Sequence, residues 1–190
     1  MKKPTDFTKL MTSYLGSYLP LQRNVSKNTI SSYCDAFRLL LIFLRDEKAM
    51  SIERVRIQDF SPVLIREYLS WLGHDRHCGI STRNQRLATL RAFFKYVEVE
   101  SPQHMLLCQK IINIPYTKKE QASICYLTTE EMSSILRQPD QSSSVGRRDL
   151  CFLSLLYDTG ARVSEILSLK ARNVHLSNPT KVILYGKGRK

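Results

Sequence analysis

The sequence predicts a mainly α fold: an N-terminal bundle of four helices, followed by a segment that mixes helices with strand. Three observations carry this. Apolar residues recur at helical spacing through the first hundred positions. Side-chain caps stand before several of these runs. Only Lys181 to Tyr185, near the C-terminal end, reads as strand. The composition agrees, since 43% hydrophobic and 24% charged residues with 7 Gly and 7 Pro describe an ordinary globular chain. It excludes collagen-like, low-complexity and wholly disordered classes.

The first helix is expected over Asp6 to Leu19, with Phe7, Leu10, Met11 and Tyr14 at core spacing and Pro20 closing it. The second runs from about Asn28 to Glu47. Its Ile30, Tyr33, Phe37, Leu40, Leu41 and Leu44 share one face, and Ser26 is its N-cap. Ser61-Pro62 opens the third, where cap is followed by proline, and Ile65, Tyr68, Leu69 and Leu72 follow at i, i+3, i+4 and i+7. The fourth opens near Ser81-Thr82 and buries Leu87, Leu90, Phe94 and Val97. Short connections between four amphipathic helices imply a compact bundle over residues 1–109.

Residues 110–126 lack a clear period, mix charges and read as an inter-domain linker. A second region, 127–190, begins with a capping box of Thr128 and Glu131. Residues 147–158 are apolar nearly all round and are expected to form a buried helix. Gly160 stops it, and a short helix from Arg162 to Lys170 follows. The strand from Lys181 to Tyr185 leads into a turn at Gly186, Lys187 and Gly188.

With 29 Lys+Arg against 17 Asp+Glu, the net charge is +12. The excess divides evenly between residues 1–100 and 101–190, so it is not a basic tail. A basic charge spread over folded elements favours polyanions through counterion release, the alternative being a solvated basic surface. The longest strictly apolar run, Leu39 to Leu44, is far below the ~20 residues of a membrane span. No signal-peptide pattern follows the N-terminus, and a cytoplasmic chain without membrane contact is expected. Five scattered cysteines show no zinc-ligand spacing, so reduced thiols are expected, with no metal and no cofactor.

Two helix starts carry groups of the kind that meet DNA phosphates and base edges. Ser26, Lys27, Asn28 and Thr29 open the second helix. On the fourth, Thr82, Arg83 and Arg86 lie near its start, and Asn84, Arg91 and Lys95 belong to a polar stripe beside the apolar face. The competing reading of that stripe is a solvated bundle surface.

Around Thr159-Gly160-Ala161-Arg162-Val163-Ser164-Glu165-Ile166, an arginine opens a helix straight after a glycine stop. Unpaired backbone N–H groups there favour an anion, and a guanidinium grips two phosphate oxygens at once. Glu165, three residues on, shares the helix face and can orient Arg162. The same residues also fit an ordinary ion pair at a helix start.

The stretch from Asp149 to Leu169 resembles the first-arginine motif of the tyrosine recombinases, the phage integrase family of Xer type. Lys187, within Tyr185-Gly-Lys-Gly-Arg-Lys190, resembles the family's β-hairpin lysine. Asn28-Thr-Ile-Ser-Ser-Tyr33, and Ser81-Thr-Arg-Asn-Gln-Arg-Leu87 before Phe93-Phe94-Lys95-Tyr96, are similar to its SAM-like core-binding domain. Leu127-Thr128-Thr129-Glu130-Glu131 is similar to the opening of its catalytic domain.

The resemblance implies a site-specific recombinase or integrase acting on double-stranded DNA, with an inverted-repeat target and protomers assembling on it. A tyrosine attacks a phosphodiester to give a 3′-phosphotyrosyl bond, without metal, while arginines neutralise the charge developing on the phosphate. Arg162 is then the first catalytic arginine, Glu165 its support, and Lys187 the general acid on the leaving 5′-oxygen. The family's His-x-x-Arg motif, its further His or Trp and its nucleophilic tyrosine are not found before Lys190. Tyr157 and Tyr185 do not match the nucleophile's context. Residues 127–190 are therefore expected to be the first part of a catalytic domain, and this 190-residue chain to form no covalent adduct on a suicide DNA substrate. The alternative function is a non-catalytic DNA-binding protein that competes for a recombination site. An unrelated helix-turn-helix regulator would leave Thr159 to Ile166 and Gly186 to Gly188 unexplained.

Overall fold

In the computed structural model, residues 3–119 and 125–186 are described. The chain divides into two compact units, residues 1–121 and 122–190. In each, several helix starts are set by local side-chain caps.

Unit one opens with α1 (Asp6–Ser13), capped by Thr5. The helix does not end at Pro20. It passes into a π-helical stretch, Tyr14–Gln22, with Pro20 inside it. Proline cannot donate, and its ring clashes with the carbonyl four residues back in an α-helix; a wider turn relieves that clash. The Arg23 N–H reaches the Tyr18 carbonyl, five residues back, at 3.0 Å.

The helix α2 (Lys27–Asp46) starts at Ser26, whose hydroxyl accepts from the Thr29 N–H. Ser61 likewise caps α3 (Pro62–His74), with proline at its first position. The helix α4 (Ile80–Glu100) begins before the hydroxyl cap expected at Ser81, with Gly79 as its cap residue. All four expected helices are present. A further one, α5 (Met105–Ile112), was not anticipated and buries Cys108, Ile111 and Ile112. It shortens the segment read as linker, because Lys110 to Ile112 are helical and Ile114 is also buried.

The central element is α4, which packs against α2, α3 and α5. Its buried residues, Leu87, Thr89, Leu90, Phe93, Phe94, Tyr96 and Val97, cover about half of its circumference. The Phe93 ring is the hub. Its centroid lies 5.1 Å from Phe37, 5.4 Å from Tyr14, 5.4 Å from Phe94 and 6.0 Å from Phe7, all in edge-type geometry. Edge-to-face pairs add to the burial term, because a ring's positive edge meets a negative face. Polar links close the bundle: the Tyr68 hydroxyl donates to the Ala36 carbonyl at 3.3 Å, and Asp6 accepts from the Ile57 N–H at 3.2 Å.

Unit two contains α6 (Thr129–Leu136), α7 (Ser144–Thr159), α8 (Val163–Leu167) and an antiparallel ribbon of β1 (Val174–His175) with β2 (Lys181–Val182). The capping box on α6 has the expected form: Glu131 accepts from the Thr128 N–H at 2.8 Å, and the Thr128 hydroxyl accepts in return. Three expectations need correction. The strand ends at Val182, although the Ile183 N–H still reaches the Asn173 carbonyl at 2.9 Å. The helix after Gly160 is five residues long. And α7 is not buried; its apolar residues are half-buried or exposed, and Gly146 alone on it is buried. Composition all round a helix shows what it can bury, and burial itself needs surfaces to cover every face.

The two units therefore differ in core. Among the described residues, every buried hydrophobic residue lies at or before Ile114 except Ile166. Native-state hydrogen exchange is expected to show α3 and α4 as the slowest amides and α6 to α8 opening at lower free energy. Equal protection in both units would contradict this.

Candidate functional site

The sequence points to two places, and each lies within one unit. The first joins the starts of α2 and α4. The Gln85 amide donates to the Ser32 hydroxyl at 3.3 Å, and the Arg86 guanidinium donates to the Ser32 carbonyl at 3.1 Å. The second turns of the two helices are thus tied together at Ser32. Ser26, Lys27 and Asn28 are exposed at the start of α2, Lys95 is exposed further along α4, and Thr29 and Thr82 are half-buried. The Ser26 hydroxyl also lies 2.9 Å from the Thr29 hydroxyl.

The remaining residues of this face are engaged with other parts of unit one. The Arg83 guanidinium lies across α3 at Gly73, where an added Cβ would come within 3.1 Å of Nη1. Arg86 braces α2, as above. The Asn84 amide is used on both sides: Nδ2 donates to the Thr117 carbonyl at 2.8 Å, and Oδ1 accepts from the Thr117 N–H at 3.0 Å. Arg91 stacks over the Tyr116 ring at 4.7 Å. Part of the polar stripe on α4 is therefore covered by the chain that follows α5. Nothing in the local sequence signals this, since the partners lie far apart in the chain.

The second place is the joint between α7 and α8. Gly160 takes φ 60° and ψ 17°, the left-handed conformation that ends a helix at low cost only for glycine. Arg162 follows as the cap residue of α8. Glu165 reaches back to it twice. One carboxylate oxygen accepts from the Arg162 N–H at 3.0 Å, and the other accepts from its Nη1 at 2.8 Å.

The Arg162 side chain is 72% exposed while that of Glu165 is 14% exposed, so the glutamate anchors an outward-facing guanidinium. These bonds, the backbone N–H foremost, hold the Glu165 carboxyl below its ordinary value. The cap is complete above the ordinary glutamate range and is lost as pH falls through the lowered value. It is constant across neutral pH.

Gly186 passes against this pair. A Cβ added there would lie 3.3 Å from the Glu165 carboxylate. The next residue, Lys187, lies outside the described residues. Tyr157 and Tyr185 are both exposed. No cluster of three metal-ligating side chains occurs among the described residues, and none of their helices is long and apolar enough to cross a membrane.

Residues 13–101 match the family model for the phage integrase N-terminal SAM-like domain, and residues 125–190 match that of the phage integrase family. Over its whole length the chain is 33% identical to y4rC of Sinorhizobium fredii (strain NBRC 101917 / NGR234), an integrase/recombinase by its name, and covers 57% of it. It is 29% identical to the tyrosine recombinase XerC of Bacillus subtilis (strain 168), again over its whole length and 58% of that protein.

The fold is similar to that of the XerH site-specific recombinase, solved bound to a palindromic difH substrate. The TM-score is 0.60 at 22% identity, over 94% of this chain and 51% of XerH. The chain thus spans little more than half the length of these relatives. With the two phage integrase models matched in order along one chain, at residues 13–101 and 125–190, the chain belongs to the phage integrase family of tyrosine recombinases.

Proposed function

We propose that the chain is the DNA-binding unit and the opening of the catalytic unit of a site-specific DNA recombinase, working by strand cleavage and rejoining through a 3′-phosphotyrosyl intermediate. The observation that carries this reading is the Arg162–Glu165 pair, with one N–H of the guanidinium fixed at 2.8 Å and the side chain turned to solvent. A fork held in this way receives two non-bridging oxygens of a phosphodiester and offsets the charge that builds up on them in the transition state. Lys187, directly after the glycine that lies against Glu165, supplies the proton to the leaving 5′-oxygen. The domain division that goes with this reading is a core-binding domain before the connecting segment and a catalytic domain after it.

The exposed groups Ser26, Lys27, Asn28 and Lys95 meet duplex DNA, with Thr29 and Thr82 beside them. Arg86 ties α4 to α2 at Ser32, and Arg83 packs α4 against α3 at Gly73. The palindromic substrate of XerH supports a two-fold symmetric target, on which protomers assemble in pairs.

The test is a titration of this chain with an inverted-repeat duplex across salt concentrations. Binding is expected to weaken linearly in log–log form, by about 0.9 for each phosphate neutralised. Lys27→Gln with Lys95→Gln is expected to flatten that slope by about 2. An unchanged slope would remove α2 and α4 from the DNA interface.

A further inference from the structure

We propose that residues 114–119 form a strap over α4 that adds Lys118 and Lys119 to the DNA-binding face, with Asn84 and Arg91 as its positioning residues. This rests on the reading of unit one as a DNA binder and extends it to a segment outside the two helix starts.

Four successive anchors fix the strap. Ile114 is 4% exposed and belongs to the core cluster. Pro115 restricts its own φ and stiffens the path that follows. Tyr116 lies under the Arg91 guanidinium at 4.7 Å. Thr117 pairs its backbone N–H and carbonyl with the two ends of the Asn84 amide at 3.0 and 2.8 Å. An amide that satisfies both backbone groups of one residue imitates a β-ladder pair. It fixes the chain's direction as well as its position.

Asn84 and Arg91 are seven residues apart, two turns along one face of α4, and the strap runs from the Arg91 end toward the Asn84 end. That end carries Thr82 and lies beside Ser32 in the second turn of α2. Lys118 and Lys119 come directly after the clamped residue and are both exposed. At ~3.5 Å per residue they cannot stray more than about 7 Å from Thr117 along the chain.

Two cations delivered by a clamped segment neutralise phosphate at a smaller entropic cost than two on a free chain, because the backbone is already ordered. Asn84 and Arg91 thus act on DNA through the strap.

The experiment is a double-mutant cycle on the 190-residue chain, read as the salt dependence of binding to duplex DNA. Lys118→Gln with Lys119→Gln is expected to make the log–log slope shallower by about 2. Asn84→Ala is expected to lose part of the same increment and to unprotect the Thr117 amide in hydrogen exchange. Adding Asn84→Ala to the lysine pair is then expected to change the slope no further.

An unchanged slope in the lysine pair overturns the proposal. So does full additivity of Asn84→Ala with that pair, which would make Asn84 an independent DNA contact. Asn84→Asp serves as a second variant: its carboxylate still accepts from Thr117 but no longer donates, and it is expected to weaken the strap without unfolding α4. If the parent chain shows no salt-dependent DNA binding at all, the DNA-binding reading itself fails, and that result is distinct from the others.

Discussion

Arg162→Ala is expected to lower DNA strand cleavage by the whole gene product by about 10²–10³-fold, the usual cost of removing one preorganised donor to a developing oxyanion. Binding should change far less, since Arg162 is one cation among many along a duplex. The split between cleavage and binding is the signature of an interaction formed mainly in the transition state. Arg162→Lys keeps the charge but not the planar fork, so it should recover only part of the loss. Glu165→Gln should have a smaller effect in the same direction. It removes the charge that holds the Arg162 N–H and Nη1, both of which are bonded at 3.0 Å or less. Gel-resolved cleavage rates measured beside affinities check all three.

Phe93→Ala is expected to be the most damaging single change in unit one, at about 3–5 kcal/mol in denaturant unfolding. The ring touches four other aromatic rings from three directions, so their collapse into the space it leaves would require α1, α2 and α4 to shift together. Lys95→Gln, two residues on and exposed, is the control and should stay within about 0.5 kcal/mol. A loss below 1 kcal/mol for Phe93→Ala would show that the hub is not where the bundle's stability is concentrated.

Local chemistry explains which elements could be read from the chain. The starts of α2, α3 and α6 were legible because Ser26, Ser61 and Thr128 each bond an N–H three residues on. The start of α5 has no such mark. His104 makes no side-chain cap bond there, and eight residues are too few for periodicity to show. Pro20 misled for the opposite reason: the α-helix rule is sound, and the chain avoids it by widening its turn.

The candidate sites divide along the same line. Arg162 and Glu165 are three residues apart, so their pairing follows from helix geometry alone. Gly186 against Glu165 and Thr117 against Asn84 depend on how distant segments come together, and no local pattern encodes either. Asn84 and Arg91 were legible as a polar stripe, and residue type could not distinguish groups facing solvent from groups already occupied by Tyr116 and Thr117.

The central claim is that Arg162 and Lys187 serve one phosphoryl-transfer centre, as charge stabiliser and proton donor. It is tested most directly by cleavage of a duplex whose scissile 5′-oxygen is replaced by sulfur. A thiolate leaves without a proton, so the general acid becomes dispensable while the phosphate charge still needs its arginine. The account predicts that this substrate restores cleavage to Lys187→Ala and not to Arg162→Ala. Equal rescue of both variants, or of neither, would contradict it.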